Sequence, residues 1–244
     1  FSMLNEVVIP NSVTTIGFSA FEMSSIYTLT VGSGVTEMGS SAFMNNPIST
    51  LNLMEGMTDI GDYAFAYSDL GEVVIPNSVT RIGNNAFESS NLETITVGSG
   101  VTEMGTYVFT GNMLSTVTLV DGLTMIGDYS FSNTGVTNLV IPNSVTSIGA
   151  HAFENSSLEV VTIGSGVTEM GDNAFVFNPI ISLTLSEGMT TIGNGAFAHT
   201  GLLGVVIPDT VTNIGDQAFK FSSLSSVVFG SSVETIGAFA FSNN

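Results

Sequence analysis

His151 and His199 are the only imidazoles in the chain, and Arg81 and Lys220 are its only basic side chains, against 21 Asp and Glu. Nucleophilic or acid–base catalysis needs an imidazole held against a hydroxyl or thiol and oriented by a carboxylate. The two histidines stand at different points of a 22-residue period and more than two periods apart, so no Ser-His-Asp set converges. Each reads as an ordinary turn or surface residue. There is no cysteine, and no cluster of His, Cys or carboxylate ligands of the kind a zinc site requires. The Gly-Ser-Gly turns have no evident helix behind them and make poor phosphate loops, and G-x-x-x-x-G-K-[ST] does not occur. Among the carboxylates, Glu37, Glu103 and Glu169 share one phase three periods apart, roughly 14 Å by strand spacing. Asp62, Asp128, Asp172 and Asp216 share another, their nearest neighbours roughly 10 Å apart. Neither set can share an ion, and no calcium-loop motif is present. The expectation is a chain that is not an enzyme, with no cofactor and no metal site.

Hydroxyls offer a second chemistry. Thr recurs at Thr14, Thr36, Thr58, Thr80 and onward to Thr212, with Glu234 breaking the row. Stacked threonines favour one another on a pleated surface, so a stabilising ladder is one reading and a flat hydroxyl array facing an ordered surface is the other. A parallel row flanks a central apolar residue: Thr28 and Thr30, Thr50 and Asn52, Thr94 and Thr96, Thr116 and Thr118, then Thr162 and Thr184. This is the candidate binding face. Its T-x-T pattern is similar to that of some ice-binding solenoids, but Glu72 with Val74, Asn138 with Val140 and Gly204 with Val206 interrupt it.

The elements that must carry these rows follow from the period. Phe recurs every 22 residues from Phe21 to Phe241, and a Gly four residues before it does the same from Gly17 to Gly237. No insertion disturbs eleven units. Within each, an L-x-x-L-x-L segment alternates with period two and predicts a short strand with one buried face. A step such as Val35-Thr36-Glu37-Met38 returns the chain to the core on the far side, and a pair such as Ala86-Phe87 fills the interior. Such a unit cannot bury its apolar edges alone, so the units must stack. Every third unit carries a Pro turn, at Pro10, Pro76, Pro142 and Pro208, with Gly-Ser-Gly and Glu-Gly or Asp-Gly turns between them. The resulting 66-residue super-period points to a duplicated three-unit block.

The formal charge of −19 removes two classes of partner. Phosphate backbones and anionic headgroups are held by clustered Lys or Arg, so neither nucleic acid nor an anionic membrane surface is expected. No apolar run approaches the eighteen residues a membrane-spanning helix needs, so direct insertion is not expected either.

The unit from Leu70 through Ile75-Pro76-Asn77-Ser78-Val79-Thr80-Arg81-Ile82-Gly83 to Ala86-Phe87 resembles the BspA-like leucine-rich repeats, whose pattern is close to L-x-x-[IV]-x-[IL]-P-x-S-[VL]-T-x-I-G-x-x-A-F-x-x-[CN]. The match runs over essentially the whole chain. Seven of the eleven units lack the Pro, and the last position is always Ser, Thr or Asn, from Ser24 to Asn244. That small polar row reads as a ladder satisfying backbone groups of the turns. The resemblance implies a mainly β, right-handed repeat solenoid with a parallel sheet on one face, spanning residues 1–244 as a single array. It also implies an extracellular or cell-surface setting and adhesion to protein or glycan partners.

Specificity in such a frame belongs where residues vary. Two positions after each Phe stand Met23, Tyr67, Phe177, His199 and Phe221 among Asn45, Ser89, Gly111, Asn133 and Asn155, and these five are the candidate turn contacts. Phe1 shares the phase of Phe221 and Asn243, so the chain reads as an excerpt of a longer array without caps. Uncapped ends suggest the alternative of a structural spacer or a filament built by end-to-end self-association. Ice or crystal binding through the threonines is the third reading.

Overall fold

The computed structural model describes residues 4–244, so Phe1 and its phase lie outside the described residues. It shows a β-solenoid of parallel strands and turns with no helix among those residues. Two compact units, with described parts 4–123 and 124–244, make up the coil.

In the first unit the period-two segments form the expected strands. Glu6–Ile9, Thr28–Val31 and Thr50–Leu53 pair in one parallel sheet, and Glu72–Val74, Thr94–Thr96 and Thr116–Thr118 pair in a second. The register steps by one period, Thr28 facing Thr50 and Thr94 facing Thr116. A further ladder, beyond the single sheet expected, comes from the two-residue strands Thr15–Ile16, Glu37–Met38, Asp59–Ile60, Arg81–Ile82 and Glu103–Met104. The second unit repeats the scheme. Asn138–Ile141, Val160–Ile163 and Ser182–Thr184 make one sheet, Gly204–Val206 and Ser226–Val228 another, and two-residue strands from Met125–Ile126 to Thr235–Ile236 make the companion ladder.

The breaks between the longer sheets follow the super-period. At the end of each ladder the next rung donates a backbone N–H: Gly32 to the Ile9 carbonyl at 3.0 Å and Met54 to the Val31 carbonyl at 3.3 Å. Pro76 occupies the next such place and has no N–H to give. The sheet ends at Leu53 and a new one opens at Glu72. Pro208 stands at the same place in the second unit, where Ser182–Thr184 and Gly204–Val206 belong to different sheets. The Pro of every third repeat therefore punctuates the sheet.

The core is built of columns. Phe43, Phe65, Phe87 and Phe109 are fully buried in the first unit, and Phe131, Phe153, Phe175, Phe197 and Phe219 in the second. Because each Phe lies directly over its neighbour, the rings stack near parallel, Phe21 on Phe43 at 5.1 Å and Phe131 on Phe153 at 5.2 Å and 1°. Each buried ring contributes roughly 1.5–3 kcal/mol from apolar burial alone. The small polar row lies beside them as the ladder anticipated. Asn46, fully buried, accepts from the Ser24 and Ile26 N–H groups and donates to the Phe21 and Phe43 carbonyls. Asn112 does the same for Ser90, Leu92, Phe87 and Phe109. Where Ser90, Ser156 and Ser222 stand in place of Asn, the hydroxyl reaches one Phe carbonyl, as Ser90 does for Phe65 at 2.7 Å.

The Gly-Ser-Gly turns need glycine because the preceding rung is close. A Cβ at Gly34 would fall on the Asn11 carbonyl oxygen, and Gly34 is not in the left-handed region. The Glu-Gly turn is different: Gly56 has φ 125°, a conformation only glycine adopts without strain.

Candidate functional site

The turn that contains each Phe has an alternating hydrogen-bond pattern. The N–H groups of Ser41, Phe43 and Asn45 reach forward to the carbonyls of Asp62, Ala64 and Ala66 in the next rung, at 2.8–2.9 Å. Those of Ala42 and Met44 fold back to Gly39 and Ser41. This pattern puts the residues two before and two after each Phe into the left-handed region, Ser41 at φ 55° and Asn45 at 57°. The result is two outward columns along one edge of each unit.

Asn and Gly adopt that backbone at little cost, whereas for other residues it costs on the order of 1–2 kcal/mol. Bulky rings nevertheless occupy it at Tyr63, Tyr67, Tyr107, His151, Phe177, His199 and Phe221, all between φ 56° and 59°. Strained residues of this kind concentrate at functional places. The five predicted turn contacts all lie on this edge and are exposed. Met23 and Tyr67 belong to the first unit. Phe177, His199 and Phe221 come together in the second, with centroids 4.6 and 4.9 Å apart.

Each unit has a groove between the columns. In the second, about 300 Å³ lies over Gly195 and Ala198, walled by His151 and Asn173 on one side and by Phe177 and His199 on the other. Gly195 opens it, because its column elsewhere carries a side chain. Sequence alone gives the two histidines no common site, yet both line this groove. His151 is engaged at both nitrogens: Nδ1 lies 2.8 Å from Glu154 Oε2, and Nε2 is 3.4 Å from Asn173 Nδ2. The tautomer that donates from Nδ1 accepts at Nε2, so the ring serves as a fixed wall. Lys220 Nζ lies 5.5 Å from the Phe221 ring centre, a cation–π distance.

In the first unit, about 460 Å³ is lined by Tyr63, Tyr67 and Tyr107 together with Asn84, Asn85 and Glu88. Asn85 Nδ2 donates to Glu88 Oε2 at 2.8 Å. Burial, and then the charge of Glu88 with a hydrogen bond to it, pushes the Tyr67 phenol above the usual tyrosine range. Tyr67 therefore stays neutral under ordinary conditions and presents an uncharged ring beside a carboxylate. Tyr63 and Tyr107 occupy the column two residues before the Phe, which sequence reasoning passes over. Its signal was present in the run Ser41, Tyr63, Asn85, Tyr107, whose size varies as widely as that of the other column.

This geometry recurs every 22 residues. The BspA-type leucine-rich repeat model matches residues 1–116 and 124–244 in six copies. The chain belongs to the BspA-type leucine-rich repeat family. A solved leucine-rich repeat protein from Bacteroides ovatus ATCC 8483 is similar at 25% identity, over 98% of this chain and 76% of that one, with TM-score 0.57. The pneumococcal vaccine antigen PcpA shares the fold at 18% identity, over 96% of this chain and 75% of its own, with TM-score 0.58. No curated protein matches. Within the BspA-type frame of this chain, these two grooves lie on the turn edge, and a third, of about 530 Å³, lies over the short-strand ladder at Thr15, Glu37, Asp59 and Arg81.

The strand face is arranged differently. Thr28 and Thr30 are half-buried, Thr50 and Asn52 exposed, and the register sets Thr28 beside Thr50 and Thr30 beside Asn52. Thr94 and Thr96 face Thr116 and Thr118, and Thr162 faces Thr184. These are separate patches: Val8 adjoins Thr30, Val74 adjoins Thr96 and Val140 adjoins Thr162, each of the valines more than half exposed. The other threonine row faces a different fate. Thr58 Oγ1 donates to the Thr36 carbonyl at 3.1 Å and Thr80 Oγ1 to that of Thr58 at 3.0 Å, with Thr146, Thr168, Thr190 and Thr212 continuing the pattern. Those hydroxyls are committed to the rung below, which makes the row a stabilising ladder.

Proposed function

We propose that this chain is a surface-exposed or secreted, non-catalytic binding scaffold whose turn edge adheres to protein or glycan partners. Membership of the BspA-type leucine-rich repeat family supports a scaffold, and the resemblance that accompanies it supports surface display. The observation that carries the reading is the pair of left-handed columns. Exposed rings vary from rung to rung there on a backbone held in register by hydrogen bonds. Side chains ordered before contact lose less freedom on binding, and exposed rings supply large contact area with few rotatable bonds.

The test is a panel of immobilised matrix proteins, glycans and intact cells, probed with the chain and with a Phe177→Asn, His199→Asn, Phe221→Asn variant. Asn holds this position natively at Asn45, Asn133 and Asn155, so the variant should fold. The expected result is saturable binding that the variant loses. Binding to nothing in the panel would sink the scaffold reading. Binding unchanged in the variant would move the contact surface away from the groove of the second unit.

A further inference from the structure

We propose that the tyrosine-lined cleft of the first unit receives a guanidinium group, and so recognises an arginine side chain on a basic protein partner. This rests on the binding-scaffold reading and names a partner chemistry for it. Tyr63 and Tyr107 stand in one column with only Asn85 between them, and all three line the cleft. Rings one rung apart in this column stack, as Tyr129 does on His151 at 4.6 Å and 3°. Two rungs separate Tyr63 from Tyr107 by roughly 10 Å, about two such stacking steps, so a flat group lying over Asn85 meets a ring on either side in offset stacking. Tyr67 closes the side, and Glu88 stands at the base with one oxygen engaged by Asn85.

Aromatic faces beside a carboxylate attract a cation and offer nothing to an anion. Among cations, guanidinium is planar, stacks on rings and meets a carboxylate through paired N–H donors, whereas an ammonium is a compact point charge that does none of these. Asp62, also in the lining, already accepts from Arg81 at 3.4 Å and from the Asn84 N–H at 2.8 Å. Glu88, whose partners are the neutral Asn85 amide and Tyr67 phenol, has no cation paired with it among the described residues, so its charge is the one left to meet a cationic ligand. A formal charge of −19 adds a long-range field that draws basic partners in.

The chain has no tryptophan and five tyrosines, three of them in this cleft, so tyrosine emission reads the site directly. The intact chain is titrated with a short Gly-Arg repeat peptide, its lysine and citrulline counterparts, and a neutral cello-oligosaccharide. The variants are Tyr63→Ser, Tyr67→Asn, Tyr107→Asn and Glu88→Gln. Ser and Asn occupy the tyrosine columns natively at Ser41, Asn45 and Asn85, and circular dichroism confirms folding. We expect saturable quenching by the arginine peptide, weaker response to lysine and none to citrulline. Each tyrosine variant should bind roughly tenfold more weakly, with Glu88→Gln at least as impaired. Tighter, tyrosine-dependent binding of the oligosaccharide would overturn the proposal in favour of a sugar. Arginine binding equal in all variants would assign it to the diffuse acidic surface and overturn it too. If the chain binds in the panel above while the arginine peptide is ignored, the cleft proposal fails and the scaffold reading stands.

Discussion

The side-chain amide of Asn178 donates to the carbonyl of Phe153 at 2.7 Å and to that of Phe175 at 3.0 Å, tying two successive rungs to one buried group. Its oxygen accepts from the Ser156 and Leu158 N–H groups as well. Asn178→Ala would strand several buried backbone groups, each at about 1–3 kcal/mol. We expect a loss of at least about 3 kcal/mol in urea unfolding monitored by circular dichroism. Asn178→Ser should lose less, since Ser serves at the same position in Ser156. Ser68 supplies the control: its hydroxyl is buried without a partner, so Ser68→Ala should be close to neutral. Equal losses for Asn178→Ala and Ser68→Ala would remove the ladder from the account of stability.

A second expectation separates two kinds of glycine. A Cβ at Gly166 would fall against the Asn143 carbonyl oxygen, a backbone atom that cannot swing away, whereas one at Gly71 meets nothing within 4 Å. Neither residue is in the left-handed region. Gly166→Ala should therefore lower the thermal midpoint clearly, and Gly71→Ala should leave it unchanged or raise it slightly by restricting the unfolded chain. The reverse order would mean that rung spacing at the Gly-Ser-Gly turns is not the constraint.

Much of this frame is legible in the residues themselves. The Phe and Gly periods announce the stack because only a solenoid returns the same side chain to the same place every 22 residues. The polar row from Ser24 to Asn244 reads as a ladder because small hydrogen-bonding side chains beside a buried Phe must satisfy nearby backbone. Pro76 and Pro208 mark the sheet breaks through a missing donor, so the super-period is structural punctuation as well as a sign of duplication. The edge columns resist such reading for a physical reason. Tyr63 and Phe177 are residue types that by their own preference avoid the left-handed region. The forward hydrogen bonds of the turn, such as Phe43 N–H to the Ala64 carbonyl, override that preference and aim the rings outward. Only the stacked geometry shows that His151 and His199 share a groove.

Arg81 invites a third test. It reaches Asp59 at 3.1 Å and Asp62 at 3.4 Å, but these side chains are 35–42% exposed. Ion pairs at that exposure contribute about 0–1 kcal/mol and weaken with salt. Arg81→Met should shift the unfolding midpoint by less than about 1 kcal/mol, and the difference should shrink in 0.5 M sodium chloride. A larger effect that salt leaves alone would show that the guanidinium's directed hydrogen bonds to Asp59 and Asp62, rather than its screened charge, support the short-strand ladder.

The last expectation concerns pH. Glu55 accepts the Asn77 N–H at 3.1 Å through Oε1 and the Ser78 N–H at 2.9 Å through Oε2, clasping the Pro76 turn from the preceding rung. These bonds hold its carboxyl below the usual range, the Asn77 bond acting most strongly. A carboxylate favoured in the folded state stabilises it wherever the unfolded carboxylate is also ionised, that is, above about pH 4.3. That contribution falls away as the pH drops from there through the lowered folded value. Glu55→Gln keeps the shape and one acceptor but removes the charge. Its deficit in urea midpoint relative to the parent chain should be constant from pH 7 to pH 5 and shrink towards zero at lower pH. A deficit that grows on acidification would reverse the sign and show that the neutral carboxyl is the form the turn prefers.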